Sequence, residues 1–210
     1  MTPMSKTERN DLCDLALQLG EDQPTLCGDW TIKDLVVHLL VREGSPAAVG
    51  ITVQRLAGLT DLASRRLSHR DFTVLVERLR GGPPVYSPFR VAKVDKLFNT
   101  LEYFVHHEDV RRAQSGWEPR DLSPRQQKLL WKQIGVGGKG LVRDAKVGVV
   151  LERSDTGDRV TLKAGEPQVV VRGLPAELVL FVFGRKQHAR VELAGTDDAV
   201  AALSGADLGV

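Results

Sequence analysis

The sequence predicts an α+β chain, with a bundle of four helices over residues 1–120 and a small α+β domain over 121–210. Three observations predict it. Apolar residues recur at helical spacing through most of the first half. Short β-branched runs separated by turn residues dominate from about residue 147 onward. The change of character falls at "WEPRDLSPRQQ", near residue 120. At 210 residues and 23.1 kDa, each part is long enough to bury a core of its own.

The helices follow in order. In "SKTERNDLCDLALQLG", Ser5 and Glu8 stand at capping-box spacing, Leu12, Leu15, Ala16 and Leu19 recur helically, and Gly20 ends the run. Thr31 with Asp34 opens "TIKDLVVHLLVREG", which Gly44 closes. That second helix is apolar on almost every side between Leu35 and Val41, so His38 lies in a buried segment and needs a partner. Mixed helical periodicity continues from Pro46 to Arg80, and "GGPPVYSPF" breaks it. A fourth helix is predicted from about Arg90 to Gln114, with Val94, Leu97, Phe98, Leu101, Phe104 and Val105 as its core face.

In the second part, a helix is predicted from about Ser123 to Asp144, weakened locally by "GVGGKG". "VGVVLER", "DRVTLKA", "PQVVVRG" and "ARVELAG" read as strands of one small sheet. "LPAELVLFVFGR" reads as a helix packed on that sheet, and "TDDAVAALSG" as a last short helix.

Composition narrows the function classes. A formal net charge of +2, with basic and acidic residues interspersed, argues against a nucleic-acid partner, which calls for a clustered basic face. No apolar run of about 18 residues suggests a membrane span, and "MTPMSKTERNDL" lacks the apolar segment of a signal peptide. A cytoplasmic protein is the expectation. Cys13 and Cys27 have neither CxxC spacing nor the density of a disulfide scaffold, so both are expected reduced and structural. Cys27 in "LCGDW" has no base that the sequence positions beside it. The chain carries no GxSxG elbow, P-loop or dinucleotide fingerprint.

The stretch "EYFVHHEDVRRA" is the densest in chemistry. At roughly 100° per residue, Glu102 and His106 stack one turn apart, with Asp109 close to their line. His107 is turned away from that row, beside Tyr103 and Arg111. Glu102 and His106 border the apolar stripe, and a buried acid beside a buried imidazole calls for a shared partner. A divalent cation is one such partner, with His38 from the second helix as the third ligand and a further position open to water or substrate. The alternative is a solvated helix end carrying internal ion pairs. His69 and His188 lie in polar stretches and read as surface residues.

These motifs resemble a known family. "PTLCGDWTIKDLVVHLLVRE" and "EYFVHHEDVRRA" are similar to the two signature segments, pTxcxgWtvxdlvaHL and ExxxHxxDxxxA, of the mycothiol-dependent maleylpyruvate isomerase family in the DinB-like metal-binding superfamily. The tail, with GxxxELxLxxxGR ending at Arg185, is similar to the sterol-carrier-like C-terminal domain of many such proteins. The resemblance implies a DinB-like four-helix bundle in which His38, Glu102 and His106 bind a divalent metal, usually zinc, and Asp109 orients a ligand. It implies mycothiol, a low-molecular-weight thiol of actinobacteria, as cofactor, and isomerase or thiol S-transferase chemistry on a small electrophile. Arg185, with Arg190 nearby, is then the expected contact for a substrate carboxylate. A metal or small-ligand carrier or sensor without turnover is the other reading.

Overall fold

The computed structural model describes residues 2–44, 66–83 and 99–209. They fall into two compact units, Met1–Pro119 and Arg120–Val210. Together they are α+β, with a mixed four-stranded sheet in the second unit.

In the first unit, α1 spans Met4–Leu19, α2 Ile32–Gly44, α3 Phe72–Arg80 and α4 Thr100–Arg112. α1 packs on α3 and α4, and α2 packs on α3. Leu12, Leu35, Leu39, Leu75 and Leu79 meet in one fully buried cluster. Each contributes about 2 kcal/mol by the apolar area it withdraws from water. Residues 46–65 of the predicted 46–80 segment and residues 90–98 of the predicted Arg90–Gln114 helix, including Val94, Leu97 and Phe98, lie outside the described residues.

Local capping matches the sequence at one helix and departs from it at another. Asp34 accepts from Thr31 N at 3.0 Å while Thr31 Oγ1 accepts from Asp34 N at 3.3 Å, a reciprocal capping box at the start of α2. At α1 the expectation is corrected. The helix begins at Met4 after Pro3 with no side-chain cap, and Ser5 and Glu8 are buried inside it. Glu8 bonds His107 of α4 at 2.9 Å instead, because a buried carboxylate gains more from a neighbouring imidazole than from an exposed backbone N–H.

A second correction concerns α4. Eleven of its thirteen residues are buried, so the helix has packing partners all round and no wide solvent face. His107 is 5% exposed and is packed against α1. The "HEDVRRA" end does carry ion pairs, Glu108 with Arg111 and Arg112, but Glu108 and Arg112 are both buried rather than solvated.

In the second unit, α5 spans Pro124–Leu141, opened by a capping box between Ser123 and Gln126. The strands are β1 Gly148–Arg153, β2 Arg159–Lys163, β3 Gln168–Gly173 and β4 Glu192–Ala194, ordered β2-β1-β3-β4. β1 runs parallel to β3, and the two outer pairings are antiparallel. α6 (Pro175–Val182) is buried along its whole length, and α7 (Asp197–Gly205) follows β4. α5 continues through "GVGGKG" because that face lies against β2. A Cβ at position 138 would stand 3.0 Å from Leu162 Cδ1, so glycine there allows the close approach.

Among the described residues no helix is long and apolar enough to cross a membrane.

Candidate metal centre

The site is built from α2, α4 and the turn that precedes α2. His38 sits in the second turn of α2, whose Leu35, Val36 and Leu39 hold the helix against the core. Glu102 and His106 lie one turn apart on α4, with Glu102 Oε2 3.5 Å from His106 Nε2. The His38 and His106 rings meet edge to face with centroids 5.5 Å apart. One ligand atom from each of His38, Glu102 and His106 lies within 4.8 Å of the others.

Trp30, on the turn, stacks at a tilt on His38 with centroids 5.0 Å apart, yet is 39% exposed. It therefore forms part of the rim. Arg42, one turn after His38, approaches Glu102 Oε2 at 3.5 Å and donates to Asn99 Oδ1 at 2.7 Å.

The protonation preferences suit this donor set. Burial, reinforced by the neighbouring His106, pushes the His38 pKa down to about 4, so its imidazole is neutral near pH 7 and offers a lone pair. For Glu102 burial opposes ionisation, but the hydrogen bond from His106 and the charge of Arg42 prevail and bring it down to about 2. His106 is held well above its ordinary value: burial pulls it down, and hydrogen bonds to Asp109, Cys27 and Glu102 outweigh that. Cation binding at His106 Nε2 would therefore release a proton.

Asp109 is fully buried and accepts from His106 Nδ1 at 2.9 Å. This fixes the tautomer that turns Nε2 toward Glu102 and His38. Two histidines and a carboxylate with their free sides toward one point match three-ligand zinc sites that keep an open position.

The structure adds a residue that sequence reasoning set aside. Cys27 Sγ donates to Asp109 Oδ2 at 3.1 Å and lies 3.8 Å from His106 Nδ1. The turn carrying it is tied to α4 by Leu26 N donating to Asp109 O at 3.1 Å, a contact spanning 83 positions that no local pattern announces. Its only sequence signal was its place, three residues before Trp30 in the first signature segment. Neither cysteine is in a disulfide; Cys13 is buried, donates to Val76 O at 3.7 Å, and has its thiol pushed up to about 12 by burial.

Of the other named residues, His69 is exposed and His188 is partly buried in a short 3₁₀ turn, Lys186–His188. Arg185 lies in the second unit, partly buried, and donates through Nη1 to Phe183 O at 2.5 Å. Arg190 is exposed, and its backbone N donates to Glu177 Oε2 at 2.8 Å.

No protein-family model and no curated protein sequence matches the chain. Solved structures do. The chain is similar to the mycothiol-dependent maleylpyruvate isomerase in a histidine-to-alanine variant, with TM-score 0.62 and 16% identity over 91% of this chain and 90% of that one. The crystal structure titled for the isomerase without a stated substitution matches with TM-score 0.57 and 14% identity over the same shares. At these identities, the likeness shows a shared fold.

Proposed function

We propose that the chain is a metal- and thiol-dependent enzyme, with His38, Glu102 and His106 as the protein ligands of a divalent cation, zinc, and mycothiol as the thiol. The carrying observation is the convergence of those three donors from two helices within 4.8 Å, with His38 neutral and Glu102 ionised. The fold shared with a protein named for mycothiol dependence supports the choice of thiol. Two cysteines outside any disulfide and a small thiol cofactor fit a reducing cytoplasm.

A bound zinc would supply Lewis acidity that favours the thiolate over the thiol near neutral pH. The chain's own residues then prepare the site. Asp109 keeps the His106 proton on Nδ1, leaving Nε2 for coordination. Arg42 holds Glu102 ionised. Trp30 presents an apolar surface beside His38, suited to the non-polar part of a small electrophile. The chemistry is isomerisation or S-transfer through attack of the thiolate on that electrophile. Arg185 is assigned to the substrate's carboxylate on the strength of guanidinium chemistry.

The test pairs metal analysis with an activity assay. Purified protein is expected to hold about one equivalent of zinc and to consume a maleyl-type electrophile only with mycothiol and metal together. Metal without turnover across a panel of electrophiles would favour a carrier or sensor. Zinc content unchanged in His106→Ala would overturn the ligand assignment.

A further inference from the structure

The two nitrogens of His106 face different donors. Nε2 faces Glu102. Nδ1 faces Asp109 Oδ2 at 2.9 Å and Cys27 Sγ at 3.8 Å, and Cys27 Sγ lies 3.1 Å from the same oxygen. Thiol, imidazole and carboxylate thus gather within 4.8 Å on the edge of the ring that the ligand set His38, Glu102 and His106 leaves unused. We propose that Cys27, His106 and Asp109 form a second metal position, selective for a thiophilic cation such as cadmium, and that the two positions exclude one another.

Geometry and chemistry both support this. In tetrahedral coordination with ordinary bond lengths, donor atoms sit roughly 3.4–3.6 Å apart. The sulfur–nitrogen separation of 3.8 Å needs to close by about 0.3 Å, and the two separations to Asp109 need to open by about half an ångström. A turn of the carboxylate supplies that. The thiol is held in place: Cys27 N donates to Thr25 Oγ1 at 3.2 Å, Thr25 Oγ1 and N both donate to Trp30 O, and Leu26 N donates to the backbone of Asp109. Cys27 is only partly buried, so an ion can reach it. A thiolate ligand selects soft cations, while histidine with glutamate on the other edge does not.

Exclusion follows from the imidazole itself. A cation on Nδ1 displaces the proton there, and the Cys27 thiol proton leaves to solvent. A neutral imidazole has one lone pair, so the ring then carries its proton on Nε2 and cannot serve the set containing His38 and Glu102. A soft ion therefore empties the first position, making this turn a point at which a toxic metal would silence the site.

The test is a cadmium titration of the full chain, read by the thiolate-to-metal charge-transfer absorption in the ultraviolet. Glu102→Gln, which weakens the first position, is expected to show the band at one equivalent. Cys27→Ser is expected to lose it, and His106→Ala to lose it at concentrations that saturate wild type. Cys13 is the only other cysteine, so a band persisting in Cys27→Ser belongs there and overturns the proposal. An unchanged band in His106→Ala means binding by a lone thiol and overturns it too, as does no band in the wild type. A second readout needs no variant: cadmium should slow alkylation of Cys27 by iodoacetamide, followed by peptide mass spectrometry, and an unchanged rate counts against the site. The zinc assignment fails separately, when His38→Ala and Glu102→Gln leave zinc content unaltered.

Discussion

Replacing each of the adjacent histidines of α4 by alanine separates two roles. His106→Ala removes a proposed ligand and should lose the metal. His107→Ala should keep the metal and lose stability, because it removes an imidazole 2.9 Å from the carboxylate of Glu8, a side chain 1% exposed. Removing one member of a buried pair costs about 3–5 kcal/mol. For a chain of this size, such a loss lowers Tm by roughly 10 °C. Thermal melts of both variants at neutral pH, with zinc measured on the same samples, test this. Zinc lost from His107→Ala and kept in His106→Ala, or a Tm change in His107→Ala below about 2 °C, would refute the reasoning.

Chelation should lower the wild-type Tm, since a cation at 100 times its Kd stabilises the native state by about 2.7 kcal/mol, and His38→Ala should abolish the difference. Asp109→Asn removes the acceptor that fixes the His106 tautomer and should weaken zinc binding about 10- to 100-fold, measured by competition with a chromophoric chelator. In the metal-free chain, Glu102 has a folded pKa lowered to about 2, so its contribution to stability is complete above its unfolded pKa of 4.5 and is lost as pH falls toward 2; Glu102→Gln should flatten that part of the pH–stability profile.

What could be read from the sequence was whatever a local rule governs. Period-2 and period-3.6 patterns located the four strands and the helices α5, α6 and α7 to within a few residues, because each packs against neighbours close in the chain. The angle between Glu102 and His106 is set by helix geometry alone, so their pairing was legible, and His38 stood out as the one titratable group in an apolar run. What distant packing decides was not legible. Ser5-x-x-Glu8 has the spacing of a capping box, and only the arrival of α4 beside α1 turns Glu8 into the partner of His107. A helical wheel says that His107 points away from His106, but not that another helix waits there. The approach of Cys27 to Asp109 likewise depends on a turn docking across the chain.

Glu43 accepts from the guanidinium of Arg9 on α1 and, at 2.7 Å, from the hydroxyl of Tyr103 on α4. Glu43 lies five residues after His38, and Tyr103 immediately follows Glu102. Sliding a helix by one residue shifts a side chain by about 1.5 Å and swings it by about 100°. The carboxylate can then no longer meet both donors, and an unpaired charge would be left in the core. The pair works as an indexing pin. It admits one relative setting of α2 and α4, the setting in which the His38 ring meets His106, so the site's accuracy is held by three side chains that never touch its contents.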